Sequence, residues 1–268
     1  MGLRATRRPA TYSRYSRFFM PDYDFRSPRL YVEAPLAEGA EVTLNAAQSH
    51  YLGTVLRLKP SSQVLVFNGR DGEWEARLAV AKRASALVIG GKTRPQSVAA
   101  DLHYLFAPLK AARLDYMVQK AVEMGVSRLQ PVFTRHSQAA RVNTERMRAN
   151  AIEAAEQCGV LSVPDIGEPL PFSRLLAEWD AARRLVFCDE DAETADPIAA
   201  LTGLPRSPLA VLIGPEGGFA EDERASLLKL PNLVRLSLGP RILRADTAAV
   251  AALTLVQAVL GDWRSADR

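Results

Sequence analysis

Cysteine and histidine are scarce in this 268-residue chain, with two of the first and three of the second. Cys158 and Cys188 are too far apart for a metal-binding pair, and His50, His103 and His136 are scattered. That pattern argues against a zinc site or a disulfide framework, leaves no metal to be expected, and suits a reducing compartment, read here as the cytoplasm. No apolar run approaches the ~20 residues that cross a bilayer as a helix, so no membrane partner is expected. The phosphate loop Gly-x-x-x-x-Gly-Lys-[Ser/Thr] and the dinucleotide turn Gly-x-Gly-x-x-Gly are both missing, which argues against the common nucleotide-binding families. No nucleophile elbow is present either.

Acids are missing from residues 1–21, which carry Arg4, Arg7, Arg8, Arg14 and Arg17. The whole chain has a net charge of +4, so the basic character belongs to this leader and the rest sums to −1. With no apolar stretch after its arginines, the leader is not a secretory signal. It reads as a transit peptide, an RNA-binding arm or a segment upstream of the true start, with Met20 as an alternative first residue. Residues 1–27 are expected to be a flexible extension.

What is present is a globular composition, 48% hydrophobic and 24% charged, with room for one large domain or two smaller ones. Charge is polarised along the body. Residues 110–148 hold eight basic side chains against Asp115, Glu123 and Glu145, whereas residues 153–196 hold eleven acids against three arginines. Such a chain can offer a basic face to a polyanion at nearly zero overall charge, although single clusters of this kind are commonly solvated helix faces.

From residue 29 to about 91 short strand-like runs follow one another: 30–32, 41–44, 64–67, 74–78 and 86–89, with one short helix over 46–56. Asn68-Gly69-Arg70-Asp71-Gly72 is a hairpin signal. Regular short strands predict a small β-barrel over 28–94, and residues 90–97 read as a linker. Strands and helices then alternate over residues 98–268, which predicts a mainly parallel sheet covered on both faces. The expected strands are 102–106, 129–133, 184–188, 209–213 and 233–238. Helices are expected up to Gly125, over 144–158 with Asn143 or Thr144 as cap, and over 247–260, the last apolar on nearly all sides and so deeply buried.

Two loops carry the chemistry. Leu209 to Ile213 reads as a buried strand that breaks into Gly214-Pro215-Glu216-Gly217-Gly218 before a helix begins. Glycines at a strand end leave backbone N–H groups free of side-chain cover, and an α/β protein opens its ligand site at the carboxyl edge of the sheet. The second loop, Leu238-Gly239-Pro240-Arg241-Ile242-Leu243-Arg244-Ala245-Asp246-Thr247-Ala248, again puts Gly-Pro at a strand end and adds two arginines three apart. These can hold an anion or a polarised carbonyl; equally, they can be structural partners of Asp246 or Glu216.

Together these loops resemble the RsmE family of the SPOUT methyltransferases. The resemblance extends to Arg29-Leu30-Tyr31-Val32, to His50 with Val55-Leu56-Arg57, to Phe67-Asn68-Gly69, to residues 115–126 in the first helix of the second domain, to residues 134–138 and to Glu156-Gln157-Cys158-Gly159. It covers roughly residues 28–262. Val160 stands where the family often has Arg, and Asp246 where Glu is commoner.

The resemblance implies a PUA-like RNA-holding barrel followed by an α/β domain with a carboxyl-terminal trefoil knot. It implies S-adenosylmethionine as methyl donor, a homodimer, and N3 of a uridine in 16S (small-subunit) ribosomal RNA as acceptor. Partners would be that RNA or the assembling small subunit. Cofactor contacts would fall on Phe187, Ile213, Gly214, Glu216, Gly217, Gly218, Leu238, Gly239, Ile242, Leu243, Thr247 and Ala248. Arg244 and Arg241 would stabilise charge on the acceptor, with Glu216 orienting ligand or arginine. RNA contacts would include Arg29, His50, Arg57, Asn68, Lys110, Lys120, Arg135 and Gln138. A methyltransferase of the same fold acting on another RNA base or a ribose, and a non-catalytic RNA-binding assembly factor, are the alternatives.

Overall fold

The computed structural model describes residue 24 and residues 26–80, 85–192 and 196–264. The Arg-rich leader therefore lies outside the described residues. Strands β1 (Arg29–Tyr31), β2 (Glu41–Thr43), β3 (Gln63–Phe67), β4 (Glu73–Val80) and β5 (Ser85–Arg94) form one sheet in the order β1-β3-β4-β5-β2. It curls around Leu30, Val42, Leu52, Val64, Val66, Leu78 and Leu87, all buried. The outer strands β1 and β2 end the order, so the barrel expected from the strand spacing is an open one among the described residues.

The hairpin forms as its residues dictate. The Asn68 side chain accepts from the backbone N–H groups of Arg70 and Asp71, while Gly69 and Gly72 take φ of +83° and +87°. Two expectations fail nearby. Residues 90–94 are not linker: they extend β5 to Arg94, paired with β4 across register shifts at Trp74 that absorb the two glycines. The helix expected over 46–56 is α1 (Ala46–His50), capped by Asn45, and it then widens into a π-helical turn, Tyr51–Val55.

The second sheet contains β6 (Leu102–Phe106), β7 (Arg128–Phe133), β8 (Asp165–Ile166), β9 (Leu170–Pro171), β10 (Arg184–Cys188), β11 (Leu209–Ile213) and β12 (Leu233–Leu236). Its order is β12-β10-β11-β6-β7-β8, with β9 on β7, and every pairing is parallel. Strand alternation splits the core. Tyr104, Phe106, Val186, Val211 and Ile213 face one side, under α2 (Ala111–Glu123), α3 (Thr144–Cys158) and α7 (Ala245–Val259). Leu105, Leu185, Phe187 and Leu212 face the other, under α4 (Phe172–Ala177) and α6 (Glu221–Leu227). The remaining helix, α5 (Pro197–Leu201), starts from an Asp196 cap and packs on α7.

α7 differs from its expected form. It begins at Ala245, two residues before the expected start, so Thr247 lies inside its first turn and Arg244 occupies the cap position. It also buries one face only: Ala248, Ala249, Ala252, Leu253 and Val256 are covered, while Val250, Ala251, Thr254 and Leu255 stay half-buried. β12 stops at Leu236, two residues short of the expected end.

Candidate functional site

The two glycine-proline loops open at one edge because of strand register. Phe187 on β10 pairs with Leu212 of β11 on one side and with Arg235 of β12 on the other. All three strands are parallel, so the chain leaves β11 at Ile213 and β12 at Leu236 from the same carboxyl edge, one strand apart on each side of β10. Neighbouring strands lie about 4.8 Å apart, so the two exits are roughly 10 Å apart. This is the switch-point geometry in which open α/β sheets bind ligands.

Phe187 and Ile213 are buried at this edge, on opposite faces of the sheet. Leu238 and Leu243 are half-buried in the second loop. Gly214 lies against the Phe219 ring, which would stand 2.6 Å from an added Cβ and itself packs on Phe172 and Phe187. Gly218 and Gly239 take φ of +71° and +94° with open space where a side chain would stand, which leaves backbone accessible. The first turn closes through Gly218 N–H donating to Pro215 O at 2.9 Å. Ala248 is buried in α7, Thr247 is exposed on it, and Ile242 is 96% exposed.

Arg241 and Arg244 are exposed and make no ion pair or side-chain hydrogen bond among the described residues. Neither Asp246 nor Glu216 holds them. Asp246 Oδ1 instead accepts from Thr247 N–H at 2.9 Å, and Glu216 faces Arg113 of α2 at 3.6 Å. The structural-partner alternative for these arginines is therefore not what the fold adopts.

Three groups not named as site residues from the sequence join the site, although His136 falls in the 134–138 segment that resembles the family. His136, after β7, places Nδ1 3.2 Å from Gly217 O and 3.1 Å from Gly218 O. Arg113 reaches Glu216 from the start of α2. Asp189, directly after β10, is buried and accepts from Arg224 of α6 and Arg235 of β12 at 3.0 and 2.7 Å. Burial alone would raise the Asp189 pKa, but the two guanidiniums outweigh it and hold the carboxyl below its ordinary value. These partners lie 35 to 103 residues apart in sequence, so no local pattern could connect them.

The residues expected to meet RNA do not all stay available. Arg29 is buried, and its Nε donates to Glu73 Oε1 at 2.9 Å; Arg94 donates to the same carboxylate. Asn68 is buried and spent on the hairpin and on Ala34 O. Both leave the candidate surface, because their polar groups are committed inside the fold. His50 and Arg57 are exposed on α1 and just beyond its π-helical turn, and Lys110 is exposed at the start of α2. Lys120 pairs with Glu123 at 2.7 Å, and Arg135 pairs with Asp222 at 2.7 Å beside exposed Gln138. Of the eight basic residues in 110–148, only Lys110 and Arg141 lack an ion pair among the described residues. Exposed pairs of this kind are worth about 0–1 kcal/mol, so a phosphate can exchange for the carboxylate.

The family described as an RNA methyltransferase domain matches residues 96–257, and an RNA methyltransferase PUA domain matches residues 44–89. Fold and edge site thus define an RNA methyltransferase of the SPOUT class behind a PUA-like domain. The ribosomal RNA small subunit methyltransferase E of Rickettsia conorii is 31% identical over 85% of this chain and 94% of its own length. The crystal structure of the enzyme of that name from Neisseria gonorrhoeae, bound to S-adenosyl methionine, superposes with a TM-score of 0.79 at 26% identity, covering 87% of this chain and 98% of that one. A Legionella pneumophila methyltransferase structure in complex with the same cofactor has a TM-score of 0.75 at 27% identity, with 87% and 98% covered. The chain belongs to the ribosomal RNA small subunit methyltransferase E family.

Proposed function

We propose that this protein transfers a methyl group from S-adenosylmethionine to N3 of a uridine in 16S ribosomal RNA, acting in the cytoplasm on that RNA or on the assembling small subunit. The observation that carries this reading is the pair of glycine-proline loops on either side of the β10 end, with two unpaired arginines in the second. Family membership supplies the substrate class, and the cofactor named in the two neighbouring structures supplies the donor.

The residues fit such a cofactor. An adenosine needs an apolar wall and backbone donors and acceptors unobstructed by side chains. Half-buried Leu238 and Leu243, above the strand ends that carry Phe187 and Ile213, offer the first; Gly217, Gly218 and Gly239 offer the second. When bound, the cofactor supplies an electrophilic methyl on a sulfonium. The protein's part is to align the acceptor and stabilise its charge. Loss of the N3 proton spreads negative charge over the flanking carbonyl oxygens, and Arg241 or Arg244 is placed to hold it. Glu216, with Arg113 beside it, orients ligand or arginine. Residues 28–94 form the RNA-holding unit and residues 98–268 the transferase unit. The trefoil knot at this edge and the homodimer rest on the family resemblance.

Mass-spectrometric mapping of ribosomal RNA from cells with and without the gene tests the reaction. Loss of one 3-methyluridine is expected; an unchanged map overturns it. Calorimetry separates the parts: Arg244→Ala should keep cofactor affinity and lose turnover. Near-normal turnover in Arg244→Ala, with Thr247→Ala inactive, would reassign that role.

A further inference from the structure

We propose that His136 is a positioning residue that braces the Gly214–Gly218 turn through its Nδ1 and so sets the shape of the cofactor site. Gly217 O and Gly218 O lie 3.2 and 3.1 Å from Nδ1. A carbonyl oxygen can only accept, so the proton sits on Nδ1 and the bond is shared between both carbonyls. Gly218 takes φ of +71° and has nothing packed where its side chain would be; besides His136, the peptide that joins the two glycines is held by the Gly218 N–H bond to Pro215 O at 2.9 Å. An added Cβ on Gly217 would meet His136 Cβ at 3.5 Å and its ring at 3.9 Å, so the histidine lies over the side of Gly217 where a side chain would stand.

The brace is itself anchored. Ser137 Oγ accepts from Thr134 N–H at 2.9 Å, and Arg135 is held at both ends: its backbone N–H donates to Glu223 Oε1 at 2.9 Å and its guanidinium to Asp222 at 2.7 Å. The segment after β7 is thus fixed to α6, the helix that follows the turn, and His136 closes the gap between them. Among the described residues His136 has no ion pair; Glu216, the turn's only acid, is directed to Arg113.

The effect on affinity rests on the proposed cofactor site; the effect on the turn does not. The test uses the full chain and three variants, His136→Ala, His136→Asn and His136→Gln. Amide hydrogen exchange is followed in peptides covering residues 214–220, and S-adenosylmethionine affinity by calorimetry. An asparagine amide nitrogen falls where Nδ1 is, whereas a glutamine amide falls where Nε2 is. His136→Ala should speed exchange in the turn and raise Kd about tenfold, the scale of one or two lost hydrogen bonds. His136→Asn should restore both; His136→Gln should restore neither. Unaltered exchange in His136→Ala overturns the proposal. So does recovery by Gln instead of Asn, or a loss of turnover in His136→Asn with exchange and Kd as in the wild type, because each assigns the function to Nε2. If exchange behaves as expected while no protein, wild type included, binds the cofactor, the brace stands and the cofactor reading fails.

Discussion

Asp189 Oδ2 accepts from Arg235 Nε at 2.7 Å, and this bond ties the end of β10 to β12, the strand from which the second loop departs. The same carboxylate takes Arg224 of α6, the helix that follows the first loop. One buried acid therefore fixes the elements on which both loops depend.

Removing that acid leaves two guanidiniums facing a buried void. Asp189→Ala should cost roughly 2–4 kcal/mol, less than a wholly buried pair because both arginines are partly exposed. The Asp189 pKa is depressed in the fold, so its contribution is present above the ordinary carboxylate value and is lost as pH falls through the folded one. Denaturant titrations should show the gap between wild type and Asp189→Asn widest near neutral pH and closing in acid. A gap independent of pH would mean the ionised carboxylate is not what matters.

Glu156 behaves in the opposite sense. Its Oε1 accepts from Tyr31 N–H at 2.8 Å, joining α3 to β1. Burial is the largest influence and pushes its pKa up to about 7, against the Tyr31 hydrogen bond and with help from Glu153. A raised carboxyl pKa means the native state holds the proton longer, so stability falls as pH rises from about 4.5 to about 7 and is level above. Glu156→Gln keeps an acceptor for Tyr31 and carries no charge. It should be more stable than the wild type at pH 8 by roughly 1–3 kcal/mol, with the gain fading towards pH 4. Equal melting temperatures at pH 8 would contradict this.

The glycines of the first turn should separate by thermal melting. Gly214→Ala sets a Cβ against the Phe219 ring, which is wedged between Phe172 and Phe187, and should cost about 1–3 kcal/mol. Gly217→Ala meets only His136 at ordinary contact distance and should leave the melting temperature within a degree or two. Equal melting temperatures for both variants would show that Phe219 yields at no cost.

On the RNA side, Arg57→Glu should weaken binding to a small-subunit RNA fragment and lower the slope of log K against log salt by about one, without changing cofactor affinity. Arg29→Ala should act otherwise. It strands Glu73 beside Arg94, so it should lower stability and leave the salt slope of the folded fraction unchanged. An unchanged slope in Arg57→Glu would remove that residue from the RNA surface.

Periodicity and turn chemistry made the strands, the hairpin and α3 with its Asn143 cap legible, because each depends on neighbours a few residues apart. The expected linker at residues 90–97 failed where a β-bulge lets Gly90 and Gly91 stay in a strand, a choice made by the partner strand. The start of α7 was misplaced for a similar reason: the expected helix opened at Thr247, but helical bonding already begins at Arg244 O.

Sequence by itself determined the two loops and their glycines, prolines and arginines, since these residue types carry their backbone freedom or charge wherever they fold. Which groups surround them was decided by tertiary structure alone. Strand order sets both loops at one edge around β10. Burial took Arg29 and Asn68 away from RNA, and packing brought His136, Arg113 and Asp189 to the site from distant positions. Ion pairing and desolvation depend on distance in space, and separation along the chain does not encode it.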